Sequence, residues 1–146
     1  MKLGAQDGWQ LFGDRHFEIA YQDLREGAMK VLHEENFKTS NQAKRLKALS
    51  RIFREVVPSN PAGKEFQLGN TLGSTNRAWR RAKFLQQYRL FFRFDSKSKI
   101  IIYSWFNDEE SLRAYGSKTD AYLIFEKMLE QGDPPSNWES LLGSAK

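Results

Sequence analysis

Apolar positions along the chain change their period from one stretch to the next, and each change predicts an element. From Phe17 they fall at helical spacing, through Ala20, Tyr21, Leu24, Ala28, Val31 and Leu32, opposite Arg15, Glu18, Arg25 and Glu26. Asp14 stands where an N-cap belongs, and Gly27 weakens the middle of this helix without erasing the stripe. A second helix is predicted from about Ser40 to Val57. Its buried side is Ala43, Leu46, Leu49, Ile52, Phe53, Val56 and Val57, with Lys44, Arg45, Lys47 and Arg54 outside and Pro58 as its stop. Between Arg77 and Trp105 the period falls to two. Three aromatic and β-branched runs, separated by Gln86-Gln87 and by Asp95 to Ser98, predict an antiparallel meander. Alternation divides the middle run into Tyr88, Leu90, Phe92 and Phe94 on a core face and Arg89, Phe91 and Arg93 on the other. Helical spacing returns at Ala121, Tyr122, Phe125, Met128 and Leu129, behind Thr119 as N-cap, and stops at Gly132 and Pro134-Pro135.

Smaller pieces complete the pattern. Trp9, Leu11 and Phe12 form an apolar clip that docks the first residues on the core, and Trp138, Leu141 and Leu142 predict a last turn or helix. The Gly, Pro and Asn-rich stretch from Pro58 to Asn76 reads as turns, with Phe66 and Leu68 as a short edge strand. Its GNTLG string lacks the strand, spacing and lysine of a phosphate-binding loop. The expected class is α+β: an antiparallel sheet with the two N-terminal helices paired on its apolar face and a C-terminal helix. With 146 residues and 40% hydrophobic content, one domain spanning 1–146 is expected.

Composition narrows the chemistry. The absence of cysteine removes disulfides, thiolate catalysis and cysteine-based zinc sites. No signal peptide or long apolar run is present, so a cytoplasmic location without membrane contact is expected. The meander carries eight cations (Arg77, Arg80, Arg81, Lys83, Arg89, Arg93, Lys97, Lys99) against Asp95 alone, a net +7 that exceeds the +5 of the whole chain. Guanidiniums interleaved with aromatics on a sheet suit a phosphate backbone and its bases, although an ordinary solvated cationic face would read the same way. His16 and His33 belong to the first helix region and read as surface or helix-end residues. Asp95 lies in a turn, and Asp108, Glu109 and Glu110 lie together in a polar loop, so no metal site and no cofactor are expected.

The strings FLQQYRLFFRF, SKIIIYSWFNDEESLRAYGSKTDAYLIFEKML and FQLGNTLG resemble the YhaV toxins, a branch of the RelE superfamily of bacterial toxin-antitoxin nucleases. The resemblance runs from about Gly8 to Leu142. It implies a RelE-like fold and an endonuclease that cuts mRNA on translating ribosomes. It further implies neutralisation by a PrlF-type antitoxin with a swapped-hairpin, AbrB-like domain, in a hetero-oligomer that holds operator DNA and represses its own operon. Carried over residue by residue, the RelE pattern matches Arg89 within YRL, its basic strand resembles Arg81 and Lys83, and its last-helix tyrosine resembles Tyr122. Its first basic strand residue falls near Trp79. Arg113 and Lys118 are the alternatives for its remaining loop arginine, and Arg80, Arg93 and Phe91 are expected to contact RNA.

These residue types fit a reaction in which the RNA 2′-OH attacks the neighbouring phosphorus. Lys83, its pKa lowered by Arg81, is the candidate base, Arg89 the clamp on the phosphorane, and Tyr122 an orienting or stacking group. Two other readings share the basic face: a non-catalytic RNA- or ribosome-binding module, and a co-repressor that acts mainly when bound to antitoxin.

Overall fold

The computed structural model describes residues 1–31, 41–108 and 120–146. Its strands are β1 (Lys2–Gln6), β2 (Trp9–Gly13), β3 (Arg80–Phe84), β4 (Tyr88–Asp95) and β5 (Ile100–Phe106), in sheet order β1-β2-β5-β4-β3. The helices are α1 (Arg15–Lys30), α2 (Asn41–Arg51), a π-helical turn (Ile52–Val56) running into the short α3 (Val57–Ser59), α4 (Ala121–Glu130) and α5 (Trp138–Ala145). This is the α+β arrangement of the RelE-like fold, and β3-β4-β5 form the expected antiparallel meander. The sheet as a whole is mixed, because the clip at Trp9 to Phe12 is a strand that pairs in parallel with β5. It reaches that position through a hairpin closed by Asp7 and Gly8, both at positive φ.

Each face of the sheet has its own core. Tyr88, Leu90, Phe92, Ile101 and Tyr103 pack beneath α1 and α2, joined by Phe17, Tyr21, Leu49 and Phe53. Phe91, Ile100 and Ile102 pack on the other side with Phe125, Leu129 and Leu141 from α4 and α5, and with Leu68, Leu72 and Trp79. Strand alternation therefore sorts the side chains as expected, but the second face is covered rather than open. A bulge that skips Ser104 opposite Phe91 and Phe92 lets Trp105 turn to the second face, where its ring lies 6.1 Å from Phe125 and 2° from parallel.

Several local readings change. Pro58 does not stop the helix: the chain ahead of it widens into a π turn, with the Val57 N–H bonded to the Ile52 carbonyl, and stays helical to Ser59. That widening frees the Phe53 carbonyl, which accepts the buried Tyr103 hydroxyl at 2.7 Å. Arg45 is buried, its guanidinium 4.8 Å from the Tyr88 ring centroid, instead of facing water. Phe66 ends a 3₁₀ turn, and the expected edge strand reduces to one bridge, Gln67 to Arg80. Asp14 caps α1 as expected, its Oδ1 accepting the Phe17 N–H at 3.0 Å and its Oδ2 the Ser104 hydroxyl. Ser40 and Thr119 lie outside the described residues; the cap of α4 is Asp120.

Candidate active site

The β3-β4 register sets Lys83 opposite Arg89 and Arg81 opposite Phe91, so these four share the face on which α4 lies. At the first turn of α4 the Tyr122 N–H donates to Asp120 Oδ1 at 2.9 Å, which fixes where the Tyr122 ring leaves the helix. Its hydroxyl ends between two guanidiniums. Arg89 Nε donates to Tyr122 Oη at 2.9 Å and Arg81 Nη1 donates to the same oxygen at 3.1 Å. Because both bonds arrive at the oxygen, the hydroxyl still has its own proton to give.

Arg89 is held more tightly than a surface arginine would be. It is only 6% exposed, and its Nη1 donates to the Gln86 carbonyl at 2.6 Å and the Tyr88 carbonyl at 3.0 Å. The Gln86 carbonyl is presented by the β3-β4 turn, where Leu85 and Gln86 sit at φ 46° and 67°. Such left-handed conformations cost non-glycine residues about 1–2 kcal/mol each, and strain of this kind collects at functional sites. Asn107 secures the turn from the other strand: its Oδ1 accepts the Arg89 N–H at 2.7 Å and its Nδ2 donates to the Gln87 carbonyl at 3.2 Å. Asn107 is fully buried and is not among the site residues expected from the sequence. Only the buried polar position just beyond an aromatic strand end marks it, and that signal is weak.

Arg81 is steadied by Nη2 donation to the Glu65 carbonyl at 3.3 Å, while its buried Nε has no hydrogen-bond partner among the described residues. Lys83 is exposed, on the solvent side of the same face. Arg81, Arg89 and Tyr122 therefore meet in one constellation, and Lys83 stands opposite Arg89 on the same face of the strand pair.

Among the described residues expected to contact RNA, Arg80 and Arg93 do not join the constellation, and Phe91 meets it only as packing, its ring edge-on to that of Tyr122 with centroids 5.8 Å apart. Phe91 is fully buried, stacked 4.3 Å from Phe125. Arg93 lies 5.7 Å from the Trp79 ring centroid and 5.6 Å from that of Trp138, and its Nη1 donates to the Ser136 carbonyl. Arg80 points to the opposite face, 5.7 Å from the Phe94 centroid. Burial draws the pKa of both Arg80 and Arg93 down from the usual arginine value. Arg113 and Lys118 lie outside the described residues. His16 Nε2 donates to Asp133 Oδ1 at 2.9 Å, a tie between α1 and the segment after α4, and takes no part in the constellation. Asp95 accepts the Ser98 N–H and hydroxyl, which hold its carboxyl below the usual range and mark it as a turn residue.

Comparison with known proteins agrees with the strings that carry the resemblance. Residues 11–146 match the profile of the family Toxin_YhaV, described as a toxin with endonuclease activity, of a toxin-antitoxin system. Toxin YhaV of Escherichia coli O6:H1 (strain CFT073) is 42% identical over 139 residues, covering 92% of this chain and 90% of the relative. Ribonuclease toxin YhaV of Escherichia coli K12 is 41% identical over the same length and coverage. No solved structure matches the chain.

Proposed function

The chain belongs to the YhaV toxin family, toxins with endonuclease activity, and on that premise we propose that it is a ribosome-dependent mRNA endoribonuclease that needs no metal at the chemical step. In this reading residues 1–146 act as a single RelE-like domain. The observation that carries it is the convergence of Arg81 and Arg89, from two strands, on the hydroxyl of Tyr122 from a helix.

RNA brings its own nucleophile in the 2′-OH. The enzyme must align that oxygen with the phosphorus, accept its proton, stabilise the dianionic phosphorane and protonate the departing 5′ oxygen. Arg89 is suited to the phosphorane: its charge is permanent, and the Gln86 and Tyr88 carbonyls fix its fork before substrate arrives. Arg81 adds a second fixed cation. Tyr122, with its oxygen occupied by the two arginines, directs its proton outward to orient the reacting group. Lys83, exposed and opposite Arg89, is the group placed to carry a proton to or from solvent. None of these is a strong acid-base pair, so positioning of the message by the ribosome supplies much of the rate, which supports ribosome dependence. Phe91, Arg80 and Arg93 serve packing in this reading and contact no RNA.

Membership of a toxin-antitoxin family implies an antitoxin. A PrlF-type antitoxin bound to operator DNA would carry the toxin into a repressing complex, which is the proposed second role. No helix among the described residues is long and apolar enough to cross a membrane, and action in the cytoplasm follows from the ribosomal substrate.

The decisive experiment maps and chemically defines the ends of messages cut on ribosomes. A 2′,3′-cyclic phosphate and a 5′-hydroxyl are expected, and a 2′-deoxy nucleotide at the cut site should stop cleavage while permitting binding. A 5′-phosphate with a free 3′-hydroxyl, or efficient cutting of the 2′-deoxy message, would make water the nucleophile and overturn the mechanism. End chemistry is the readout because ribosomes themselves require Mg²⁺.

A further inference from the structure

β3 is the outermost strand, and among the described residues its outer edge is paired only at the Gln67 to Arg80 bridge. Beside it a groove of about 550 Å³ runs between α2, the π turn and the β3-β4 turn. Ala48, Ile52, Val56, Phe84 and Leu85 form its apolar lining, while Lys44, Lys47 and Arg51 add their cations. Leu85 is 45% exposed at φ 46°, a backbone conformation that favours glycine or asparagine. A large apolar side chain kept in water on such a backbone, continuous with the apolar lining of a groove, marks a contact surface.

We propose that this groove docks an acidic amphipathic helix of the antitoxin, a reading that rests on the toxin-antitoxin membership of the family. The lining calls for apolar side chains, which a nucleic acid, with its hydrated backbone, does not offer. The three cations call for carboxylates: Lys44 and Lys47 form no ion pair among the described residues, and Arg51 meets Glu55 only at 4.0 Å with both side chains exposed. A helix with an apolar stripe flanked by Asp and Glu meets both demands. Docking there also explains how inhibition could reach the active site without entering it. Leu85 precedes Gln86, whose carbonyl holds Arg89 Nη1 at 2.6 Å, so a segment closing on Leu85 bears directly on the turn that aims Arg89.

The test uses the full chain and its co-expressed cognate antitoxin. Two variants, Ala48→Glu in the lining and the exposed pair Lys44→Glu with Lys47→Glu, are measured for antitoxin affinity at low and high salt, for ribosome-dependent mRNA cleavage and for melting temperature. Each variant should lose at least tenfold in affinity and escape neutralisation in cells while cutting at the wild-type rate. The lysine pair should also lose most of the salt dependence of binding. Affinity within twofold of wild type in a folded Lys44→Glu, Lys47→Glu variant overturns the proposal, even if Ala48→Glu fails to fold. Loss of cleavage with antitoxin affinity intact also overturns it, by assigning the groove to the ribosome. If neither wild type nor variants cut mRNA yet the tenfold loss of affinity is seen, the docking surface stands and the endonuclease reading falls.

Discussion

Tyr122 and Arg89 are tied into the candidate site in different ways. Tyr122 contributes a hydroxyl that two guanidiniums orient, and its ring also packs edge-on against Phe91, with centroids 5.8 Å apart at 86°. Tyr122→Phe keeps that packing and removes only the oxygen. We expect cleavage to fall about 10²–10³-fold, or ~3–4 kcal/mol in the barrier, with a nearly unchanged melting temperature. Arg89→Ala should lose a similar factor in rate and also destabilise the fold, because the Gln86 and Tyr88 carbonyls lose a charged donor that is worth about 1.5–3 kcal/mol per bond. Arg89→Lys should rescue stability in part and activity hardly at all. One ammonium cannot reproduce the fork that reaches Tyr122 and both carbonyls together. Single-turnover cleavage on programmed ribosomes, paired with thermal melts, separates the two effects; wild-type cutting by Tyr122→Phe would remove the hydroxyl from the mechanism.

At the scale of elements, Asp14 joins α1 to β5, and its burial raises its carboxyl pKa above the ordinary range, against the lowering effect of the Ser104 hydroxyl and the Phe17 N–H. A carboxyl whose pKa is higher in the folded state contributes most below its unfolded value, near about 3.9, and loses that contribution as pH rises through the folded value. Asp14→Asn keeps the acceptor for Phe17 and carries no charge. It should match or exceed wild-type stability at pH 7, with the difference shrinking towards pH 4. Asp14→Ala should cost about 1 kcal/mol for the lost cap. Urea melts of the three proteins across that range provide the check. The β3-β4 turn offers a second test: Gln86→Gly relieves a left-handed conformation yet keeps the carbonyl that holds Arg89. It should raise the melting temperature and leave cleavage intact.

These same elements show which parts of the molecule the residues disclose. Alternation in β4 places Arg89, Phe91 and Arg93 correctly because a period of two is a local property of extended backbone. The β1-β2 hairpin is signalled locally too, by Asp7-Gly8 ahead of an apolar run, although only a docking clip is expected above. By contrast, the parallel pairing of Gln10 with Ile100 links residues far apart in the chain, and no short-range pattern encodes it. Covering of the second face by α4 and α5 is likewise a long-range outcome. That is why Phe91, expected from the sequence to contact RNA, is core in the fold. Convergence of Arg81 and Arg89 on Tyr122 follows from the register of β3 on β4 and from the docking of α4, so the resemblance supplied the three names and the fold supplied their contact.

Across the whole molecule, the cations of the meander are not equivalent. Arg80 lies over Phe94, Arg93 sits by Trp79 and Trp138, and Lys99 lies 4.8 Å from the Trp9 centroid, all three spent on aromatic rings. Of the other five, Arg77 and Lys97 are exposed outside the strands, and Arg81, Lys83 and Arg89 share the face of the candidate site. Counterion release from single-stranded RNA gives a slope of about −0.7 in log affinity against log salt for each phosphate neutralised. Those three cations should therefore contribute a slope near about −2, well short of what the net charge of the meander suggests. Lys83→Gln should make the slope shallower by about 0.7 with no change in melting temperature, because its side chain is exposed. Arg93→Gln should do the reverse, leaving the slope alone and lowering the melting temperature, because it removes the cation that ties β4 to Trp79, Trp138 and the Ser136 carbonyl. Binding of a non-cleavable 2′-deoxy message titrated from low to high salt measures both slopes. A slope that falls equally in the two variants would show that Arg93 leaves its aromatic cage to meet the RNA.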